Sequence, residues 1–425
     1  MTRPPTRLFR LEIRYDIPGM QASLPRSAQT AILVCSTFSL LPLLSCWPQF
    51  RLLLFFHDDW ELLDSATRLG FGRWLAEPFL GEGVFPLFKL LWFGAVRLTG
   101  GSYFGMILLL WITHVAVCVL FGSLLARSGL SPASIAFALL TFGLSWTNLE
   151  TLGWSMQWNS QLAIVFFLAA WHFLLGARTV GCAAACSLCL LASGLCSSRG
   201  IISGLVLAIF VLVQNNRQER VRLCILCLAP TALLVAVIWL LAPHRQAPPG
   251  AALLYGLDYL LMNPLYMPLP ILRHVFGAGT FLVCGALKAA VFIWAFRKAG
   301  PSLRPLLSTL VALDLVLAAS LGYGRWSTGL ATTTSSRYQY IPLLCFGPMA
   351  GILVAHLRTG ARVAVLILCA FALAVPWKRH AEQWGSSRGS RLRAALEQAG
   401  PTEHFDPSSL TAARARELVR LYGLH

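Results

Sequence analysis

Charge is what this sequence has least of. Asp, Glu, Lys and Arg make up 12% of its 425 residues, where a soluble domain carries about 25%. Soluble chains of this length divide into domains, yet no polar linker interrupts the middle of this one. These absences exclude an ordinary soluble enzyme, a disordered chain and a fibre. Acidic residues are the scarcer sign, 17 against 34 Lys and Arg. The net charge of +17 is spread over an N-terminal arm, short loops and a tail. No soluble basic segment with interleaved aromatics accompanies it, so no nucleic-acid partner is expected. What fills the chain is apolar, at 57%. The expected fold class is an all-α polytopic membrane protein whose partner is the lipid bilayer.

A span needs about 20 apolar residues. Eleven candidates stand at 30–50, 102–126, 132–149, 158–176, 180–196, 200–214, 221–242, 271–296, 302–322, 339–357 and 361–376. The first is read as an uncleaved span. The chain then divides into a basic arm at 1–29, a membrane domain at 30–376, and a tail at 377–425 with short helices expected at 389–399 and 408–421. The arm holds five Arg against two acids, which places it in the cytoplasm. Alternation puts Arg127, Arg178, Arg217, Arg220, Arg222, Arg297, Lys298, Arg304, Arg358 and Arg362 on the same side. Three longer segments then face outward: 57–101, 243–270 and about 323–338. Residues 84–98 carry Lys89 and Arg97 and are too short to span, so an interfacial helix is expected there. The location implied is the inner (plasma) membrane of a cell, with the working face outside.

The twelve Cys lie almost entirely in apolar runs. Cys182, Cys186 and Cys189 share one helix, Cys224 and Cys227 another. No His or carboxylate joins them, so they read as small packing residues.

The acids concentrate instead. Six of them, Asp58, Asp59, Glu61, Asp64, Glu77 and Glu82, fall within residues 57–82. His57-Asp58-Asp59-Trp60 follows the first span directly. A helix cap uses one Asp; two, next to a His, suit a proton, a donor group or a divalent metal. No metal is assigned. Glu82 closes the same loop between glycines. Glu150, Trp154 and Gln157 share one outer turn, where Trp beside amides suits either an interfacial anchor or a sugar. Arg337 follows Thr332-Thr333-Thr334-Ser335-Ser336 and precedes Tyr338, and an Arg among hydroxyls grips a phosphate in bidentate fashion. Arg199, in Ser197-Ser198-Arg199-Gly200, has similar surroundings; Arg325 and Arg245 are lesser candidates. Asp314 sits within a span, where ionisable groups are costly and often functional. Lys288 reads as snorkelling toward the membrane surface, and His114 and His172 as satisfied core histidines.

An acidic pair after the first span, a long outer loop with an interfacial helix, about eleven spans and an outer C-terminal piece together resemble the GT-C superfamily of membrane glycosyltransferases. That superfamily includes protein O-mannosyltransferases, oligosaccharyltransferase catalytic subunits and lipid A aminoarabinose transferases. More closely, the chain looks like a group of bacterial membrane proteins of that superfamily in which an acidic motif is followed by a His/Glu-rich turn into Pro-Leu and by a late Ser-Arg-Tyr motif. Asp58-Asp59-Trp60 matches the first motif, Glu82 with Pro86-Leu87 and Lys89 matches the second in part, and Ser336-Arg337-Tyr338 matches the third. Gly83 and Val84 depart from it, standing where the group has His and Arg. The resemblance implies transfer of a sugar from a polyprenyl-phosphate carrier to an outer-face acceptor: a cell-envelope glycan, lipid or protein. It makes Asp58 or Asp59 the general base, places the donor phosphate at Arg337 and Arg199, and implies inversion at the anomeric carbon. His57, Glu82, Lys89, Glu150, Trp154, Gln157 and Tyr338 would line the substrates. Some superfamily members use a divalent metal and others do not. Competing readings are a transporter or flippase, an outer-face glycan polymerase or ligase, and an inactive relative serving as a partner subunit. Nothing in the sequence fixes an oligomeric state.

Overall fold

Apolar runs satisfy their own backbone by coiling, and this chain coils nearly throughout. The computed structural model describes residues 24–79, 83–176, 179–214, 219–241, 247–404 and 410–425. Among these residues the protein is all-helical, and β-structure is limited to two isolated bridges, Phe79–Gly83 and His404–Thr411. Glu82, Arg178, Arg217, Arg245 and most of the N-terminal arm lie outside the described residues.

The first apolar run, expected as one span over 30–50, is broken into Arg26–Phe38 (α1), Leu41–Ser45 (α2) and Trp47–Leu52 (α3). Pro42 and Pro48 open the two short helices. Lacking an N–H, neither can extend the helix before it. The following segment folds as Asp58–Arg68 (α4), Phe71–Ala76 (α5) and Pro86–Leu98 (α6). The last falls on the helix expected over 84–98. Its 13 residues rise about 20 Å, short of the roughly 30 Å hydrocarbon layer.

Tyr103–Arg127 (α7), Pro132–Gly143 (α8), Leu149–Gly153 (α9), Trp158–Leu175 (α10), Val180–Cys196 (α11), Ser198–Ile201 (α12) and Ser203–Val213 (α13) come next. They are followed by Arg220–Leu241 (α14), Pro249–Met262 (α15), Pro270–Phe276 (α16), Thr280–Lys298 (α17), Arg304–Arg325 (α18), Tyr340–Ala355 (α19) and Thr359–Ala374 (α20). Among the described residues, seven helical segments are long and apolar enough to cross a membrane, including Tyr103–Arg127, Arg220–Leu241 and Arg304–Thr328. The helix α20 buries none of its residues, and Leu368 and Phe371 are about two-thirds exposed. Apolar surface on this scale requires an apolar solvent. Where helices meet each other, small residues let them close: a side chain at Gly351 would strike the Ser134 carbonyl of α8.

One core holds the helices of the membrane layer together. A second core joins the segment after α3 to the C-terminal tail, combining Phe55, Trp60, Trp92 and Trp111 with Trp377, Ala415 and Leu418. The tail comprises Pro376–Gly385 (α21), a π-helical turn Ser386–Ser390, Arg391–Gln398 (α22) and Ala412–Tyr422 (α23). It is too small for a core of its own, and it shares one. Arg414 Nε meets Asp64 at 2.7 Å, Thr67 and Tyr422 exchange a 2.8 Å hydrogen bond, and Tyr103 N–H donates to the His425 carbonyl. Hydrogen bonds to Glu417 and Asp64 hold the Arg414 guanidinium above its ordinary pKa.

Several polar groups within the helices find partners that sequence spacing does not reveal. Lys288 does not snorkel. It is buried and ion-paired with Asp314, and its Nζ also donates to the carbonyls of Leu260 and Asn263 at 2.8 Å each. That arrangement fastens the C-terminal end of α15. His114 shares a 2.8 Å hydrogen bond with the Tyr340 hydroxyl, and His172 reaches the Leu120 carbonyl; both are satisfied, as expected.

Candidate active site

The acidic motif folds as a tight turn. The Phe56 carbonyl accepts from the Asp59 N–H at 3.2 Å, and His57 at φ 54°, ψ −127° occupies its first corner. His57 is the one non-glycine with positive φ among the described residues. Such backbone strain costs about 1–3 kcal/mol and persists only where the surroundings impose it. Here the Phe56 ring is stacked on Trp154 at 5.1 Å, and both are buried.

The turn separates the two carboxylates. Asp59 is fully buried. Its Oδ2 accepts from the Phe56 N–H at 3.1 Å and its Oδ1 from Ser155 Oγ at 2.6 Å. The first bond closes the turn that leads into α4. Asp59 therefore ties α4 to the Trp154–Gln157 turn and lines neither of the two cavities described below. Asp58, one residue earlier, lines two. Burial holds the Asp59 carboxyl well above the usual carboxylate range, against the lowering effect of its Ser155 and Phe56 donors. An acid raised in the folded state makes that state bind more protons, so its stability contribution is lost as pH rises through the folded value. Asp59→Asn is expected to flatten this fall. Melting curves of the two proteins between pH 5 and 8 test it; identical pH slopes would reject it.

The larger cavity, of about 470 Å³, is lined by His57, Asp58, Glu150, Trp154, Arg325, Ser327, Thr328, Ser335, Arg337 and Arg388. A smaller one of about 80 Å³ adjoins it, lined among others by Asp58, Trp154, Gln157, Asn159, Ser160, Ser198, Arg199, Arg325, Arg337 and Tyr338. Asp58, Trp154, Arg325 and Arg337 belong to both.

Each wall is built locally. Glu150 organises the Arg337 loop: its Oε2 accepts from Ser335 Oγ at 2.9 Å and from the Arg337 N–H at 3.2 Å, and its Oε1 lies 3.9 Å from Arg337 Nε. Ser336 Oγ donates back to the Thr147 carbonyl at 2.6 Å. Arg199 donates to Ser160 Oγ at 2.8 Å. The Arg199 and Arg337 guanidiniums both lie over the Tyr338 ring, at 5.4 and 5.1 Å. From the opposite side α15 braces the same loop. Asn263 donates to the Thr333 carbonyl at 2.9 Å, Gln339 donates to Asn263 at 2.5 Å, and Thr333 donates to Asp258 at 2.5 Å.

Arg388, which belongs to no sequence motif, also lines the larger cavity. It arrives from the π-helical turn of the tail, and its guanidinium lies 4.8 Å from the Phe56 ring and 5.4 Å from Trp384. Its carbonyl accepts from the Leu54 N–H. At the next position a Cβ would stand 2.1 Å from the Leu52 carbonyl, so only glycine, Gly389, lets the tail approach this closely. No sequence signal marks Arg388, because its place depends on a contact across more than three hundred residues.

Of the sequence candidates, His57, Asp58, Glu150, Trp154, Gln157, Arg199, Arg337 and Tyr338 thus line the paired cavities. Lys89 does not. It is buried, and its Nζ donates to the carbonyls of Trp74 and Glu77 at 2.5 and 2.8 Å, pinning α5 to α6. Burial pushes its pKa down. For a divalent metal the motif offers little. Both Asp59 oxygens are engaged by protein donors, and no group of three His, Cys, Asp or Glu side chains converges among the described residues. Comparison with protein families, curated proteins and solved structures finds no match to this chain.

Proposed function

We propose that this protein is a membrane glycosyltransferase that moves a sugar from a polyprenyl-phosphate carrier to an acceptor hydroxyl. The observation that carries this reading is the convergence on adjoining cavities of Asp58, the carboxylate that lines both, with Arg199, Arg325, Arg337 and Arg388, drawn from four separated segments of the chain. A transferred glycosyl group needs a base on the acceptor side and positive charge at the leaving phosphate. In this mechanism the acceptor hydroxyl attacks the anomeric carbon and gives its proton to Asp58. The bond from that carbon to the carrier phosphate breaks, and the phosphate leaves with the electron pair, its charge held by Arg199 and Arg337. Attack opposite the leaving group inverts the anomeric centre. Trp154 and the amides of Gln157 and Asn159 supply the apolar face and hydrogen bonds that a sugar ring uses. Asp59 is a positioning residue, not the base.

Eleven crossings with the site on the outer face remain our topology. Four apolar helices, Pro132–Gly143, Val180–Cys196, Ser198–Val213 and Tyr340–Ala355, supplement the seven longer ones. The segments after α3, between α8 and α10, between α11 and α13, after α18 and after α20 all meet at the two cavities. Eleven alternating crossings put all of these on one side. The far ends of the same helices carry Arg127, Arg220, Lys298, Arg304 and Arg362, the bias of a cytoplasmic face.

A mass-spectrometric comparison of surface glycans and glycolipids tests the activity in three strains: lacking the gene, carrying it, and carrying Asp58→Asn with expression verified. One sugar unit is expected to vanish in the first and third alike. Full restoration by Asp58→Asn would remove Asp58 from the chemistry. No glycan change in any strain would turn the reading toward transport.

A further inference from the structure

The cations are distributed unevenly between the two cavities. Arg199 lines only the smaller and Arg388 only the larger, and Asp58 stands in the wall they share. The smaller cavity also reaches Leu321, Phe79, Phe85 and Met156. Leu321 lies one helical turn inside α18 from Arg325, so the smaller cavity reaches further along α18 into the helix layer than the larger one, whose innermost lining residue on that helix is Gly324. The larger cavity is lined instead by Gly324 in the last turn of α18, by Ser327, Thr328 and Ser335 beyond it, and by Arg388 of the tail. A prenyl chain must leave its phosphate toward the lipid, so its phosphate belongs at the Arg199 end.

Arg388 is then left without a function in donor binding. Its two aromatic neighbours orient the guanidinium by its faces, its backbone is pinned by Leu54, and no acidic side chain forms an ion pair with it among the described residues. The other carboxylate of the larger cavity, Glu150, is already engaged by Ser335 and the Arg337 N–H. A half-buried, oriented Arg with its donor edge uncommitted is an oxyanion site. We infer that the acceptor is itself anionic, carrying a phosphate or carboxylate that Arg388 grips across the larger cavity while the carrier phosphate occupies the Arg199 end. This rests on the transferase reading for the word acceptor, but its test does not require turnover.

The experiment measures equilibrium binding of two probes, decaprenyl phosphate and glycerol 3-phosphate, to the full chain in lipid nanodiscs, with glucuronate replacing glycerol 3-phosphate in a parallel arm. Saturating decaprenyl phosphate is expected to leave the small-anion site open. Arg388→Ala is expected to weaken the small anion roughly tenfold or more, the effect of losing a charge-assisted pair, with decaprenyl phosphate binding unchanged. Arg199→Ala is expected to do the reverse, and Arg388→Lys to restore part of the loss. Preference for glycerol 3-phosphate or for glucuronate identifies the anion as phosphate or carboxylate. Mutual competition between the probes, equal weakening of both by Arg388→Ala, or no binding of either small anion to the unaltered protein overturns the inference. Melting temperatures of the variants separate lost binding from lost folding. Two anions bound without any glycan change in cells would reject transfer and leave the second anion site standing.

Discussion

Asp58→Asn is expected to slow sugar transfer roughly 10²- to 10⁴-fold, the span attributable to a positioned general base, with a loss of activity far larger than any loss of folded protein. Asp59→Ala is expected to behave in the opposite way. It strips the acceptor from Ser155 Oγ and from the Phe56 N–H, both buried, and each orphaned donor costs about 1–3 kcal/mol. Its loss of activity should therefore follow its loss of folded protein, and Asp59→Asn, which keeps an acceptor oxygen, should recover much of both. The contrast is sharp because the two residues are adjacent and chemically identical. Purified variants assayed for transfer and for thermal unfolding decide it. An active Asp58→Asn beside a stable but inactive Asp59→Asn would reverse the assignment.

The largest effect on stability is expected at the Lys288–Asp314 pair. Both side chains are buried, at 6% and 1% exposure. Removing one partner of such a pair leaves an uncompensated charge and costs about 3–5 kcal/mol. Lys288→Ala also frees the Leu260 and Asn263 carbonyls at the end of α15. Asn263 in turn holds the Thr333 carbonyl and Gln339, four and two residues from Arg337 on either side of it. Both single variants should unfold early, and Lys288→Met with Asp314→Leu together should regain most of the melting temperature, since an apolar pair of similar volume often matches a buried ion pair. The double variant should still bind decaprenyl phosphate more weakly, because α15 no longer locks the Arg337 loop. A single variant as stable as the unaltered protein would show that the pair holds nothing.

Much of the fold is legible in the sequence where a property depends on neighbours. The short helix at 84–98, the last two tail helices and the grouping of Glu150, Trp154 and Gln157 in one short connection between α8 and α10 each follow from local periodicity, chain punctuation and charge. The broken first run was less legible: hydropathy averages over Pro42 and Pro48, whereas the backbone responds to each. Lys288 was misread for a related reason. Its distance from a helix end suggests snorkelling, but its partners lie on α15 and α18, and no spacing rule links them.

The candidate site divides along the same line. The His57-Asp58-Asp59 run, the Ser-Arg-Tyr motif and Arg199 stand out because polar groups are scarce in this chain. Which aspartate faces the cavity depends on the tight turn at His57 and on Ser155, nearly a hundred residues away. Lys89 lies in a motif yet serves only to pin α5. Arg388 lies in no motif yet reaches the cavity.

By itself the sequence determined the helical class, the need for an apolar solvent and the short list of polar residues able to do chemistry, because composition and helical periodicity act through local backbone satisfaction and transfer from water. Only the tertiary structure decided which of those residues meet, which carboxylate of the acidic pair lines the cavities and that the tail reaches the larger of them. Those outcomes depend on packing between segments distant in the chain, where the partner of each polar group is set by the whole fold.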